Sequence, residues 1–392
     1  MSAVDVNTSL SPIEHVALEK CALGALLDQW REAFPDAGLL ALLPEAEKSK
    51  LALLQDCCRQ AELPLAGALF PALVVDGRFV QDGVLLLRFD RRVPCFLVGG
   101  LNDGSVSPEE KIGEALSPAL KSHGEYAPKP SLYMIFDGLL PNIATILERL
   151  YLRLSDRVCY AGVNAGSETF QPMPCLFNTQ RVVGDGVLCL LLDGDTTTVV
   201  EHGYEIPDHV MTATATNGTQ IMSIDWRPAF EVYQRIIRRE YGIDLDSDNF
   251  YHYAVHFPFG IPRASEDVVV RIPVALNDDG SLHCVGEVPE NAMLVLLRAP
   301  EANEGRFIER LTDALERSNG PMRGRHLLTF YCAGRRMHLG EGAELELGAL
   351  LRRSRVARMA GARSLGERGG TCRSEYPMFH NAALTCTPWG TP

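Results

Sequence analysis

The sequence predicts a mixed α/β (α+β) protein of two domains, built from repeated strand–helix–β-hairpin units with largely antiparallel sheets. Three observations predict it. A unit of apolar strand, helix, Ala-Gly step and hairpin recurs three times along the 392 residues. The hairpins of the first two copies share an ordered set of residues. Pro71, Leu73, Arg78, Val80, Asp82, Gly83 and Val84 recur as Pro174, Leu176, Arg181, Val183, Asp185, Gly186 and Val187, at a constant offset of 103. The second half adds further hairpin signals, the strongest being Asn217-Gly218 between two alternating runs.

The elements follow in chain order. Pro12 to Glu32 predicts a helix, because Ile13, Val16, Leu23, Leu27 and Trp30 fall at helical spacings. The first copy then offers the strand Gly38–Leu43, a helix from Ala46 to Ala61, and Ala66-Gly67. An acidic, Pro-bearing stretch around 102–130 contains the helix start Ser107-Pro-Glu-Glu110. The second copy comprises the strand Leu132–Phe136, a helix from Ile143 to Leu154, and Ala161-Gly162, and ends near Asp193. The polar run Asp193-Gly-Asp-Thr-Thr-Thr198 marks a boundary, which divides the chain into a helical segment 1–34, a first domain 35–200 and a second domain 201–392. In the second domain the Asn-Gly hairpin comes first, and Pro228 opens a helix. A hairpin at 267–285, a strand at Met293–Arg298 and a helix at Gly305–Ser318 follow. The third copy has the strand His326–Cys332, a helix from Glu344 to Arg353, and Ala360-Gly361.

Composition narrows the function. A net charge of −13 excludes a nucleic-acid groove. The basic run Arg352–Arg358 reads as a helix end. No signal peptide and no membrane-length apolar run is present, so a cytoplasmic location and no membrane are expected. Eleven scattered cysteines, an odd number, predict reduced thiols. No Cys-x-x-Cys-His exists for covalent haem attachment, and no phosphate loop or nucleophile elbow is present. With no nucleophile–base motif, a non-enzymatic protein is expected, and Glu367 with His380 is the one acid–base pair that can be drawn.

At this point the chain resembles the FIST family. The opening repeats, with Tyr160-Ala-Gly162 and Asn164-Ala-Gly166, are similar to the N-terminal FIST domain. His202-Gly203, Thr212–Asp225 with Pro228-Ala229, the hairpin Val270–Gly280, Gly361–Glu367 and Phe379-His-Asn381 resemble the C-terminal one. Arg368 stands where the family pattern has an apolar residue. The resemblance implies a bacterial sensory module that binds a small ligand. One stand-alone branch of the family binds haem b, senses nitric oxide, and signals to a histidine kinase or to a diguanylate cyclase or phosphodiesterase of cyclic-di-GMP signalling. The alternative is a haem-free module that binds a small solute such as an amino acid. A homodimer is left open.

Haem b needs an axial side chain, usually His, in an apolar pocket. His202 is the first candidate metal ligand, because Gly203 beside it leaves room for a flat macrocycle and Tyr204 can pack on that ring. A loop histidine between domains is the bland alternative. His256, in Val255-His-Phe-Pro-Phe259, and His380, in Phe379-His-Asn381, come next. Structural strand histidines are their alternatives. Cys332 and Cys284 are the rival thiolates, and buried inert thiols are the plainer reading of both.

Overall fold

The computed structural model describes residues 10–123, 128–192, 197–263, 268–300, 305–369 and 376–389. Its strands form three six-stranded sheets and one eight-stranded sheet, largely antiparallel, with helices packed against them. The mixed, mainly antiparallel architecture expected from the sequence is present.

The three six-stranded sheets share one plan, and the plan is cyclic. The first sheet sets Ile13–Val16, Val84–Phe89, Gly38–Pro44 and Leu65–Phe70 side by side, then ends on the hairpin Leu176–Asn178 and Val182–Val183. The second sets Cys95–Val98, Val187–Leu192, Ser131–Asp137 and Cys159–Ala165, and ends on Glu367–Gly369 and Met378–His380. The third sets Val199–Glu201, Leu384–Trp389, His326–Cys332 and Arg358–Ser364, and ends on Leu73–Val75 and Arg78–Val80. Every hairpin therefore leaves its own copy. The hairpin of copy two completes copy one, that of copy three completes copy two, and that of copy one completes copy three. Pro71 and Pro174 occupy equivalent places, each two residues ahead of its hairpin strand.

The Ala-Gly step explains itself here. In each copy two strands run parallel, and Gly67, Gly162 and Gly361 stand opposite Ala41, Met134 and Thr329. A Cβ at any of the three glycines would overlap the carbonyl oxygen of that partner. The visiting hairpin then lies across the same glycine, with Phe177 opposite Gly67, Arg368 opposite Gly162 and Val74 opposite Gly361. Only glycine admits a backbone on one side and a side chain on the other.

Alternation along the strands sorts the cores. In Ser131–Asp137, Leu132, Met134 and Phe136 face the helices Pro108–Ser122 and Ile143–Leu154, while Tyr133 and Ile135 face a core common to all three copies. One aromatic from each copy meets there: Phe70 and Tyr133 lie 5.5 and 6.4 Å from the ring of Phe330.

The eight-stranded sheet interrupts the third copy. Its strands run from Val210–Asn217 to Met293–Leu296, between the edge strand Val199–Glu201 and the helix Arg306–Asn319. The helix Ala229–Tyr241 covers one face through Val232, Tyr233, Ile236 and Ile237. The other face, with Val270, Val295 and Leu297, packs on Tyr204 and Ala382 and so meets the third copy.

The structure corrects one expectation and adds two details. Ile13–Val16 is a strand paired with Val84–Leu87, and the helix starts only at Lys20. Its branched residues satisfy a sheet edge as readily as a helix stripe. Pro228 opens the next helix, as expected, from the N-cap position before Ala229, and the structure adds a short pairing of Arg227–Pro228 with Ser223–Ile224. A helix the sequence did not suggest, Ala333–Leu339, follows Cys332 directly. Cys21, Cys57, Cys58, Cys95, Cys175, Cys189, Cys284, Cys332 and Cys386 are free thiols, as expected, and Cys372 lies outside the described residues.

Candidate ligand-binding site

The inserted sheet meets the ring of three copies closed by the hairpin exchange where the strand His326–Cys332 turns into Ala333–Leu339, and a cluster of buried polar groups lies there. Arg335 is wholly buried. Its Nε and Nη2 donate to the Glu346 carboxylate at 2.8 and 2.6 Å, and Nη1 donates to the His202 carbonyl at 2.6 Å. The guanidinium lies 4.0 Å over the Phe307 ring. Tyr331 also donates to Glu346, at 2.7 Å. Burial works against the charge of Arg335, but its bonds to Glu346 outweigh that and raise its pKa. The loop that enters the inserted sheet is thus held by a buried, saturated ion pair.

Next to it, Glu367 is buried and accepts from Ser364 Oγ at 2.6 Å and from the Ala383 amide at 3.3 Å. Burial pushes its pKa up to about 8, against Ser364, Ala383, Cys332 and Arg335. Cys332 Sγ accepts from the Ala382 amide at 3.0 Å, and burial and Glu367 raise that thiol. His380 stands opposite Glu367 across the strands; its Nδ1 is buried without a partner, and burial, His202, Arg271 and Arg263 pull its pKa down to about 3. Arg368, beside Glu367, points the other way. It lies 4.0 Å over Phe136 and donates to the Met134 carbonyl and to Asn164. Burial lowers its pKa to about 9, and no carboxylate pairs with it among the described residues.

A cavity of about 40 Å³ lies between the inserted sheet and the ring. Tyr251, Val255 and Ile272 line it from the inserted side, and Ala333, Gly334, Met337 and Leu365 from the third copy. Glu168 and Phe170 close it from the second copy. Its walls are apolar except for Glu168, which accepts from Arg363 Nη2 at 2.8 Å. A larger groove, about 870 Å³, runs between the helices Arg306–Asn319 and Gly342–Ser354. It is open to solvent, and Arg353 there is already paired with Glu309 and Asp313.

The structure brings His202, Gly203, Tyr204 and His380 into the polar junction and leaves His256 outside it. His202 is half-buried; its Nδ1 accepts from the Tyr204 amide at 3.0 Å, and the ring also bonds to the Val268 backbone. Burial and the charges of Arg335 and Arg310 pull its pKa down to about 4. Gly203 has φ +74°, and a Cβ there would come within 2.7 Å of Phe307. Tyr204 is buried with its hydroxyl unpartnered. His256 faces His338 instead, with Nδ1 to Nδ1 at 2.6 Å. These residues do not fit a porphyrin in this arrangement. His202 spends both ring nitrogens on the protein, Phe307 fills the space beside Gly203, and 40 Å³ holds one or two waters rather than a macrocycle. Among the described residues no group of three or more His, Cys, Asp or Glu is arranged to hold a metal ion. No helix there is long and apolar enough to cross a membrane.

Sequence reasoning missed Arg335 and Glu346. The only signal was an Arg three residues after a mainly apolar, buried strand, in Phe330-Tyr-Cys-Ala-Gly-Arg335, where a charge has little room to reach solvent.

Two family models match. The FIST N domain model covers residues 19–227, and the FIST C domain model covers 229–369. No curated protein matches the chain. The matches carry the family rather than its haem-binding branch, and FIST domains suggest a sensory, signal-transducing role with binding of a small ligand. With more than half of its residues under one FIST model and most of the remainder under the other, the chain belongs to the FIST family.

Proposed function

We propose that the chain is the input module of a signalling system and binds a small solute, of the amino-acid class, between the inserted sheet and the ring. The supporting observation is the cavity at that junction: apolar walls with one ion pair, Glu168–Arg363, at their edge. A zwitterionic solute can place its ammonium on Glu168, its carboxylate on Arg363, and its side chain against Phe170, Ile272 and Met337. The closed cavity holds too little space for this, so binding favours a state in which the two walls stand further apart. A ligand moves such an equilibrium only through its difference in affinity for the two states. A histidine kinase or a cyclic-di-GMP enzyme would then read the separation of the inserted sheet from the ring. Haem b with nitric oxide as the signal is the rival reading, and it requires His202 to give up a hydrogen bond.

One experiment addresses both. The purified chain is titrated calorimetrically with a panel of amino acids and, separately, with haemin followed by absorption. A solute that binds the chain but not Glu168→Gln supports the proposal. Silence across the panel together with a Soret band that His202→Ala removes overturns it in favour of haem.

A further inference from the structure

We propose that the hydrogen bond between His256 and His338 is a proton-operated latch that holds this cleft shut. The inference rests on the cleft being the ligand site. His256 belongs to the inserted body, immediately after the helix Phe250–Ala254, and is the neighbour of the wall residue Val255. His338 sits in the helix Ala333–Leu339, beside the wall residue Met337. The single contact Nδ1 to Nδ1, at 2.6 Å, therefore ties one wall of the cavity to the other.

The tautomers follow from the partners. His338 Nε2 lies 3.1 Å from the Pro300 carbonyl, which can only accept, so that nitrogen carries a proton. Neutral His338 then offers a lone pair at Nδ1, and His256 donates to it from its own Nδ1. One proton fits between the rings and a second does not. When both rings are charged, two donors face each other at 2.6 Å and the bond becomes a repulsion. The surroundings supply nothing to hold the extra proton. On the inserted side the neighbouring titratable group is His252, whose ring centre is 6.1 Å from that of His256, and it adds to the repulsion. On the ring side Arg335 and Glu346 face His338, but they are bonded to each other at 2.6 Å and largely cancel.

The direction of the pH effect is fixed. Burial and the neighbouring histidines pull His256 down to about 4, and burial likewise lowers His338. An opened cleft returns these rings to water, where an imidazole titrates near ~6.5. The closed state is thus fully favoured above ~6.5 and loses its advantage as pH falls from there towards 4. Acid opens the cleft.

The test is amide hydrogen exchange of the full chain without any solute, corrected for intrinsic rates, over 250–256 and 333–339. Between pH 7.5 and pH 5, exchange in both segments should rise on the order of 30-fold, the factor that this pKa difference predicts for one ring. His256→Phe/His338→Phe, which keeps two aromatic rings but no proton, should flatten that response while far-ultraviolet circular dichroism stays native. His338→Arg should open the cleft already at pH 7.5. An unchanged pH response in the double Phe variant, or none in the parent chain, overturns the latch. Because no solute is present, a failure of the amino-acid panel leaves this result standing.

Discussion

Glu346→Leu breaks the buried pair at the junction, and its cost can be worked from the contacts. It removes both carboxylate oxygens from a guanidinium whose side chain is 1% exposed, at 2.8 and 2.6 Å, leaving it only backbone carbonyls, and orphans the Tyr331 hydroxyl. Breaking a buried ion pair by deleting one partner costs about 3–5 kcal/mol, because the other charge stays buried. The orphaned hydroxyl adds about 1 kcal/mol or more. The sum, about 4–6 kcal/mol, rivals the whole stability of a small domain. Replacing the pair together is different. Arg335→Met/Glu346→Leu/Tyr331→Phe leaves no buried charge and no orphan hydroxyl, and it should recover most of that loss. Urea unfolding at pH 7 measures both, read through tryptophan fluorescence. Trp30 and Trp389 are buried in the ring and will report its unfolding, whereas Trp226, 84% exposed on the inserted sheet, will change little. If Glu346→Leu costs under about 1 kcal/mol, or if the combined variant is as unstable as the single ones added together, the pair is not the clamp described above.

Other outcomes follow from the same structure. Gly162→Ala should prevent folding or cost several kcal/mol, because its Cβ overlaps the Met134 carbonyl and φ is +149°; yield of soluble protein and urea midpoint will show it. Arg368→Ile should raise the unfolding free energy by about 1–4 kcal/mol, read from urea unfolding, since an unpaired buried cation gives way to the apolar residue type that Phe177 and Val74 supply at the equivalent positions. The unfolded chain releases the Glu367 proton near 4.5 while the folded one holds it to about 8, so stability from this group is lost as pH rises through that window. Glu367→Gln should remove that slope in urea midpoints taken from pH 5 to 9. Exposed Cys21 should react with a thiol reagent in the native state, and buried Cys58, Cys284 and Cys386 only on unfolding.

Much of the ring was legible because its cause is local. The Ala-Gly step marks a steric need that recurs at the same place in each copy, and the offset of 103 between the first two hairpins records duplication directly. The exchange of hairpins was not legible. Alternation in Leu73–Val75 reports which faces are buried, but nothing in it names Ala360–Ala362 as the strand beside it. The candidate site was half legible for a similar reason. His202, Gly203 and Tyr204 sit on the chain passage into the inserted sheet, and His380, at the end of the strand Met378–His380, comes close enough to His202 to feel its charge. What His202 does with its nitrogens depends on Tyr204 and Val268, and the latter lies far along the chain. Arg335 and Glu346 sit on separate helices, and only the tertiary fold tells a buried pair from two surface charges.

The cyclic exchange of hairpins has a consequence for synthesis. The hairpin Leu73–Val80 is made early, yet its partner strand, Arg358–Ser364, comes late in the chain's long third copy: the Met359 amide donates to Asp76 across 283 positions. At the roughly 5–20 residues per second of translation, that hairpin waits on the order of 15–60 s for its neighbour to emerge. During the wait its ladder edge is open, and so is the edge of Cys159–Ala165, which needs Glu367–Gly369. Ribosome-bound nascent chains that stop short of residue 358 should therefore be held by holdase chaperones, and release should coincide with closure of the last strand exchange rather than with completion of either FIST half.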